Sequence, residues 1–210
     1  MSLNIEQTRL LVSYALEDIT ENRERLNELD RALGDGDHGT TIARGARAAI
    51  EVLRDANLVT INEIFVLAGR AMMKSMGGAS GVLFGTFFQG AKACPDSQVF
   101  DASTLLSFIK GGLDNLKQKT KAEVGDKTML DAIVPAVDAL AQETEDSKPL
   151  QAALKHAAEA AEQGAQSTIG LLPRFGRART LGDRAASAQD PGATSMSLFL
   201  TGLAKHLQEV

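Results

Sequence analysis

Apolar residues recur every three or four positions through most of the chain, and that period limits what it can build. Leu10, Leu11, Tyr14, Ala15, Ile19, Leu26 and Leu29 share one helical face, and the pattern carries a helix up to Asp30. A second stripe, Ile42, Ala46, Ala49, Ile50 and Leu53, predicts a helix starting near Thr40. Thr60-Ile61-Asn62-Glu63 is a capping box, in which the threonine and glutamate side chains satisfy free backbone donors at a helix start. Further helices are predicted over 80–94, 101–119, 126–143, 148–168 and 192–208, with Asp101 and Ser147 as N-caps, Pro149 in a first turn and a kink at Pro135. Strand-like alternation is nearly absent and aromatic residues are only 4% of the chain, so a sheet of consequence is not expected. The expectation is an all-α bundle of about eight helices, forming one domain over residues 1–210.

Charge and cysteine usage exclude several classes. Lys plus Arg number 22 against 27 for Asp plus Glu, a mild acidity that argues against a direct nucleic-acid or membrane surface. Cys94 stands alone and has no disulfide partner within the chain. The start, MSLNIEQTRL, lacks a basic stretch followed by an apolar run, and no segment approaches the ~20 apolar residues of a membrane span. A cytoplasmic location is the expectation.

Two stretches break the helical rhythm: the acidic loop 30–39 and the region 169–191, which carries Arg174, Arg177, Arg179 and Arg184. Asp30, Asp35 and Asp37 crowd into eight residues. Held about 5 Å apart at an effective dielectric near 20, such carboxylates would repel by roughly 3 kcal/mol per pair, so a cation is expected among them. The spacing does not fit an EF-hand, because Gly39, Thr40 and Ala46 stand where Asp or Asn, glycine and glutamate would be needed. Zinc is disfavoured, since His38, His156 and His206 are the only histidines and no His-Glu-x-x-His occurs. Hard oxygen ligands on a glycine loop suit magnesium, which shares its sphere with phosphates.

Phosphate has a place to bind at MGGASGVLFG, residues 76–85, where Gly77, Gly78, Ala79, Ser80 and Gly81 stand at a helix start. Small residues let backbone amides approach an anion there, the helix dipole favours it, and Ser80 adds a hydroxyl. Gly39-Thr40-Thr41 repeats the logic at another helix start. A P-loop is excluded, because GTFFQGAK has alanine between its second glycine and its lysine. Taken singly, each feature has a bland reading. Asp-Gly-Asp is commonly a solvated turn, a glycine cluster a close helix crossing, an arginine loop plain surface, His38 a hydrogen-bonded turn residue, and Met72, Met73, Met76 and Met129 core filling. Together they form a metal, phosphate and charge-neutralising set.

Four stretches, LGDGDHGTT, GGASGVLFGT, GDKTMLDAIVPA and GRARTLGDRAASAQDPGATS, occur in the order and approximate spacing of the nucleotide-binding L subunits of dihydroxyacetone kinases, which the chain resembles nearly end to end. The resemblance implies an eight-helix antiparallel barrel with the nucleotide, ADP or ATP, at its open end. It implies that Asp30, Asp35 and Asp37 hold two Mg2+ ions, and that His38, Gly39, Thr40 and Thr41, with Gly78, Ala79 and Ser80, line phosphates and sugar. Met129 flanks adenine, Arg177 is the catalytic arginine on phosphate, and Asp190, Pro191 and Gly192 close over the nucleotide. The family often carries Gly-Arg-Ala-Ser-Tyr-Leu-Gly-Glu-Arg where this chain has Arg179 and Thr180 in place of the small and aromatic residues, so lid packing and partner contacts do not carry over there.

The implied activity is phosphoryl transfer to dihydroxyacetone held on a separate K subunit, with ADP kept as a cofactor and rephosphorylated by a phosphohistidine protein. A kinase for another small ketose that uses ATP directly is the alternative. A nucleotide-state reporter that contacts a transcription regulator is a further one, and a homodimer or hetero-oligomer is expected.

Overall fold

The computed structural model describes residues 2–210, except the side chain of Arg177. Nine α-helices occur among the described residues: α1 (Ile5–Glu21), α2 (Arg23–Leu33), α3 (His38–Arg54), α4 (Ile61–Met76), α5 (Gly78–Phe88), α6 (Ala102–Lys117), α7 (Leu130–Glu145), α8 (Leu150–Ser167) and α9 (Pro191–His206). Two 3-10 segments, Gln89–Ala93 and Arg177–Ser187, follow α5 and precede α9, and among the described residues the sole β-bridge joins Leu3 to Phe100. The expected all-α class is what the chain adopts. None of these helices is long and apolar enough to cross a membrane.

Eight of the helices close a ring. In order around it, α1, α3, α4, α5, α6, α7, α8 and α9 each pack on the next, and α9 returns to α1. Neighbours are antiparallel: Arg9 on α1 reaches the carbonyls of Leu53 and Arg54 at the end of α3, while Arg44 near the start of α3 reaches those of Ser75 and Met76 at the end of α4. Between α8 and α9 the Asp190 amide donates to Thr168, and between α9 and α1 the His206 and Tyr14 rings lie 5.4 Å apart. Helix α2 stands outside the ring against α3.

Close crossings hold the ring tight. A Cβ on Gly85 would lie 2.7 Å from the Gly69 carbonyl, and one on Gly69 would lie 2.8 Å from the Gly85 carbonyl, so α4 and α5 meet backbone to backbone. The interior is filled, not hollow. Phe88 packs on Phe199 with centroids 4.9 Å apart and on Phe65 at 6.3 Å, amid fully buried leucine, isoleucine and alanine side chains. Each such phenylalanine contributes roughly 2–3 kcal/mol by leaving water.

Local signals landed where they are strong. Thr60 and Glu63 form the capping box of α4, and Asp101 caps α6 through the Thr104 amide. Three expectations need correction. The first predicted helix is broken at Asn22, whose amide and side chain both bond the Asp18 carbonyl and so end α1. Ser147 is not the N-cap of α8. It sits at φ 55° after α7, with Ser147 N–H on the Thr144 carbonyl and Lys148 N–H on that of Glu143, a Schellman closure. The helix expected from 126 starts at Leu130, because residues 123–128 form a turn around the Asp126 and Asp131 carboxylates.

Candidate functional site

An antiparallel ring of eight starts four of its helices at one end. Helices α3, α5, α7 and α9 all begin there, so four N-terminal dipoles point the same way. The connections that precede them, 34–37, Gly77, 118–129 and 168–190, meet around a cavity of about 480 Å³. That volume lies in the range of small-molecule and cofactor sites.

One corner is acidic. Asp30 on α2 accepts the amides of Asp37 (2.9 Å) and His38 (3.2 Å), capping α3 from outside. The capping folds the 34–37 turn back, so that a carboxylate oxygen from each of Asp30, Asp35 and Asp37 lies within 4.8 Å of the others. Asp30 is partly buried, and Asp35 and Asp37 are exposed to the cavity mouth. An all-oxygen donor set with open positions fits Mg2+ bound partly by protein and partly by phosphate.

Across the cavity is the start of α5. Helices α1, α4, α6 and α9 are capped by Asn4, Thr60, Asp101 and Asp190 side chains, whereas no side chain caps α5 among the described residues. Gly77 and Gly78 hold φ of 68° and 60°, and a Cβ on either would meet nothing within 4 Å. The turn therefore needs glycine for its backbone angles, and the space beside it is open. The amides of Gly78, Ala79 and Ser80 precede the first helical bond, from Gly81 N–H to the Gly77 carbonyl, so they are free for an anion. Arg44 fixes this turn from below through its bonds to Ser75 and Met76.

The remaining wall is apolar or buried polar. Leu83, Phe84, Leu116, Ala122, Met129 and Leu130 line it, and Met129 is 6% exposed. His38 is buried and its Nε2 lies 2.8 Å from Ser195 Oγ, whose own hydroxyl donates to the Pro191 carbonyl. The His38 Nε2 must then donate, which leaves Nδ1 unprotonated. Burial pulls the imidazole down to about 4, against the pull of the Asp30 charge, so it is neutral at pH 7. Asp190 is partly covered as a residue, yet its carboxylate is packed round by protein and caps α9 through the Ala193 amide at 2.7 Å. Desolvation, with the Asp131 charge behind it, pushes that carboxyl up to about 7, although the Ala193 amide and Lys127 act in the opposite sense.

Of the residues singled out in the sequence, Asp30, Asp35, Asp37, His38, Thr41, Gly78, Ala79, Ser80, Met129, Asp190, Pro191 and Gly192 all line this cavity. Gly39 and Thr40 do not. Gly39 is packed on Arg23 and Asn27 of α2, and Thr40 exchanges hydrogen bonds with the Asn27 side chain, from its amide at 2.9 Å and to its hydroxyl at 3.1 Å. The side chain of Arg177 lies outside the described residues, but Gly176 and Ala178 on either side of it line the cavity. Arg44, Lys127, Thr128 and Phe175 also line it and were not singled out as site residues in the sequence. Lys127 and Thr128 stand inside the GDKTM stretch and Phe175 inside the irregular region 169–191, whereas Arg44 had no such marker.

The sequence matches the family described as the DAK2 domain over residues 32–205. It is 41% identical over 187 residues to the PEP-dependent dihydroxyacetone kinase, ADP-binding subunit DhaL, of Escherichia coli strain K12, covering 89% of each chain. It is 34% identical over 190 residues to the L-erythrulose 1-kinase of Mycolicibacterium smegmatis, covering 89% of this chain and 33% of that protein. The fold superimposes on the crystal structure of the dihydroxyacetone kinase from C. freundii in complex with AMP-PNP and Mg2+ with a TM-score of 0.73 at 26% identity, covering 98% of this chain and 34% of that one.

Proposed function

The chain belongs to the DAK2-domain family, and from that premise we propose that it is the ADP-binding subunit of a dihydroxyacetone kinase, carrying a phosphoryl group on a magnesium nucleotide to dihydroxyacetone held by a separate subunit. The observation that carries this reading is the juxtaposition, across one cavity, of the Asp30, Asp35 and Asp37 carboxylates and the uncapped start of α5. Phosphoryl transfer asks a protein mainly for positioning and charge neutralisation.

In this reading the three carboxylates hold two Mg2+ ions, which when bound neutralise phosphate charge. The amides of Gly78, Ala79 and Ser80, with Thr41 and the first turn of α3, take phosphate oxygens. Gly39 and Thr40 act from behind, by seating α3 on α2. The neutral His38 bonded to Ser195 keeps the start of α3 against α9 without adding a positive charge. Met129 covers the adenine, Asp190, Pro191 and Gly192 close over the nucleotide, and Arg177 is the catalytic arginine on the transferred phosphate. Residues 1–210 work as one domain in a hetero-oligomer with the K subunit, in the cytoplasm.

The E. coli relative is PEP-dependent by name, which supports a bound ADP rephosphorylated by a phosphohistidine protein. The likeness to an L-erythrulose 1-kinase supports a second reading, a subunit that serves another small ketose and takes ATP directly. One experiment separates them. Purified protein is passed through gel filtration, its acid-released nucleotide is measured by chromatography, and exchange with labelled ATP is compared with turnover in the presence of the K subunit. Near-stoichiometric ADP exchanging far more slowly than turnover supports the first reading. Exchange faster than turnover, with ATP alone sustaining the reaction, overturns it in favour of the second.

A further inference from the structure

Lys127 is 2% exposed and lies on the wall of the cavity, yet the phosphate-binding groups described above do not include it. Its backbone stands at φ 60°, a left-handed conformation that glycine adopts without strain and lysine does not. Glycine would adopt this turn with less strain. The lysine is held in place by what its ammonium does. Nζ donates to the Thr168 carbonyl at 2.6 Å and to the Ala188 carbonyl, one at each end of the long connection between α8 and α9. The same Thr168 receives the Asp190 amide on its hydroxyl at 2.8 Å, so the start of α9 belongs to the same knot.

Two further contacts tie that connection to the turn before α7. The Arg174 amide donates to the Asp126 carbonyl and its guanidinium lies 3.3 Å from the Asp126 carboxylate. That ion pair is open to solvent on the arginine side and contributes little. The Lys127 bonds are buried and charge-assisted, the stronger kind. Desolvation pulls the ammonium down from its ordinary value, and the Asp190 and Asp131 charges pull it back.

Resting on the function proposed above, we infer that Lys127 is a positioning residue: its ammonium clamps both ends of the 168–190 strap to the turn that carries Met129, and so sets how slowly nucleotide leaves. Phe175, Gly176 and Ala178 of the strap and Asp190 to Gly192 at its end border the cavity, and so does Met129, against which Gly192 packs: a Cβ there would lie 3.7 Å from Met129 Cβ. Moving the strap away from the Met129 turn breaks both Lys127 bonds, and Lys127 is a buried, charged group that joins the two.

The test is a release assay on the full chain, loaded with a fluorescent ADP and Mg2+ and chased with excess ADP. Lys127→Met keeps the length and loses the charge. Lys127→Gly removes the side chain at a backbone angle glycine accepts, so it folds even where the methionine variant does not. Loss of a charge-assisted bond is worth about a tenfold change, so both variants release nucleotide at least tenfold faster. The off-rate rises far more than the single-turnover transfer rate falls. Added n-butylammonium, but not n-butanol, slows release from Lys127→Gly, because the cation refills the space and the carbonyl contacts. Release at the wild-type rate from either variant overturns the inference, and so does acceleration indifferent to butylammonium, which would reduce Lys127 to a packing role. Wild-type protein that fails to bind the ADP at all would instead strike the proposed function.

Discussion

Replacing Asp190 by asparagine exposes two buried titrations that oppose each other. In the folded chain the Asp190 carboxyl is pushed up to about 7 from 3.8, first by desolvation, so over that window the native state holds a proton the unfolded chain has lost. Stability attributable to it therefore falls as pH rises from about 4 to about 7. A gap of roughly three pH units at about 1.4 kcal/mol each gives ~4 kcal/mol, or about 2–4 kcal/mol once the residue's partial access to water is allowed for. His38 runs the other way. Burial pulls it from 6.5 to about 4, so its contribution is lost as pH falls through that window, by about 3 kcal/mol. In wild type the two slopes nearly cancel between pH 4 and 6.5. The Asp190→Asn side chain keeps an oxygen for the Ala193 amide but does not titrate, so the variant shows the His38 slope bare, with stability rising by about 3 kcal/mol from pH 4 to 6.5. Urea unfolding of metal-free, nucleotide-free protein at half-unit pH steps reads this directly. A difference between variant and wild type that stays constant from pH 4 to 7.5 refutes the argument.

Other expectations concern separate parts of the account. Asp35→Asn and Asp37→Asn each weaken magnesium-dependent ADP binding by at least about tenfold and flatten its dependence on Mg2+ in calorimetry, because each removes a charge that favours the cation; unaltered magnesium dependence in both rejects the carboxylate site. Gly85→Ala forces a methyl to within 2.7 Å of the Gly69 carbonyl and of Met73 Cβ. It lowers stability by about 1–3 kcal/mol in chemical denaturation, and a neutral result means α4 and α5 do not meet backbone to backbone.

What the sequence made legible was local or repeated. The Thr60–Glu63 capping box and the Asp101 cap act over three residues, and both formed as read. The acidic crowding of Asp30, Asp35 and Asp37 and the glycines before Ser80 were visible because unusual residues stood at short spacing, and the fold gathers both into one cavity. Tertiary decisions left less trace. The break at Asn22 rests on one side chain competing for the Asp18 carbonyl, and asparagine within a helical pattern does not by itself announce it. Arg44 and Lys127 are placed by carbonyls 31 to 61 residues away, and a carbonyl has no signature in sequence. Gly39 and Thr40 were read with the phosphate group because they open a helix, but Asn27 on α2 turns that face of α3 away from the cavity.

The central claim is that metal ions held by three carboxylates join a nucleotide to this end of the ring, and crystals grown with ADP and Mn2+ in place of Mg2+ test it most directly. Anomalous diffraction at the manganese edge is predicted to show two peaks among Asp30, Asp35 and Asp37, with the diphosphate running from them to the amides of Gly78, Ala79 and Ser80. Nucleotide density elsewhere, or ADP in the cavity with no anomalous peak beside the three aspartates, would contradict it.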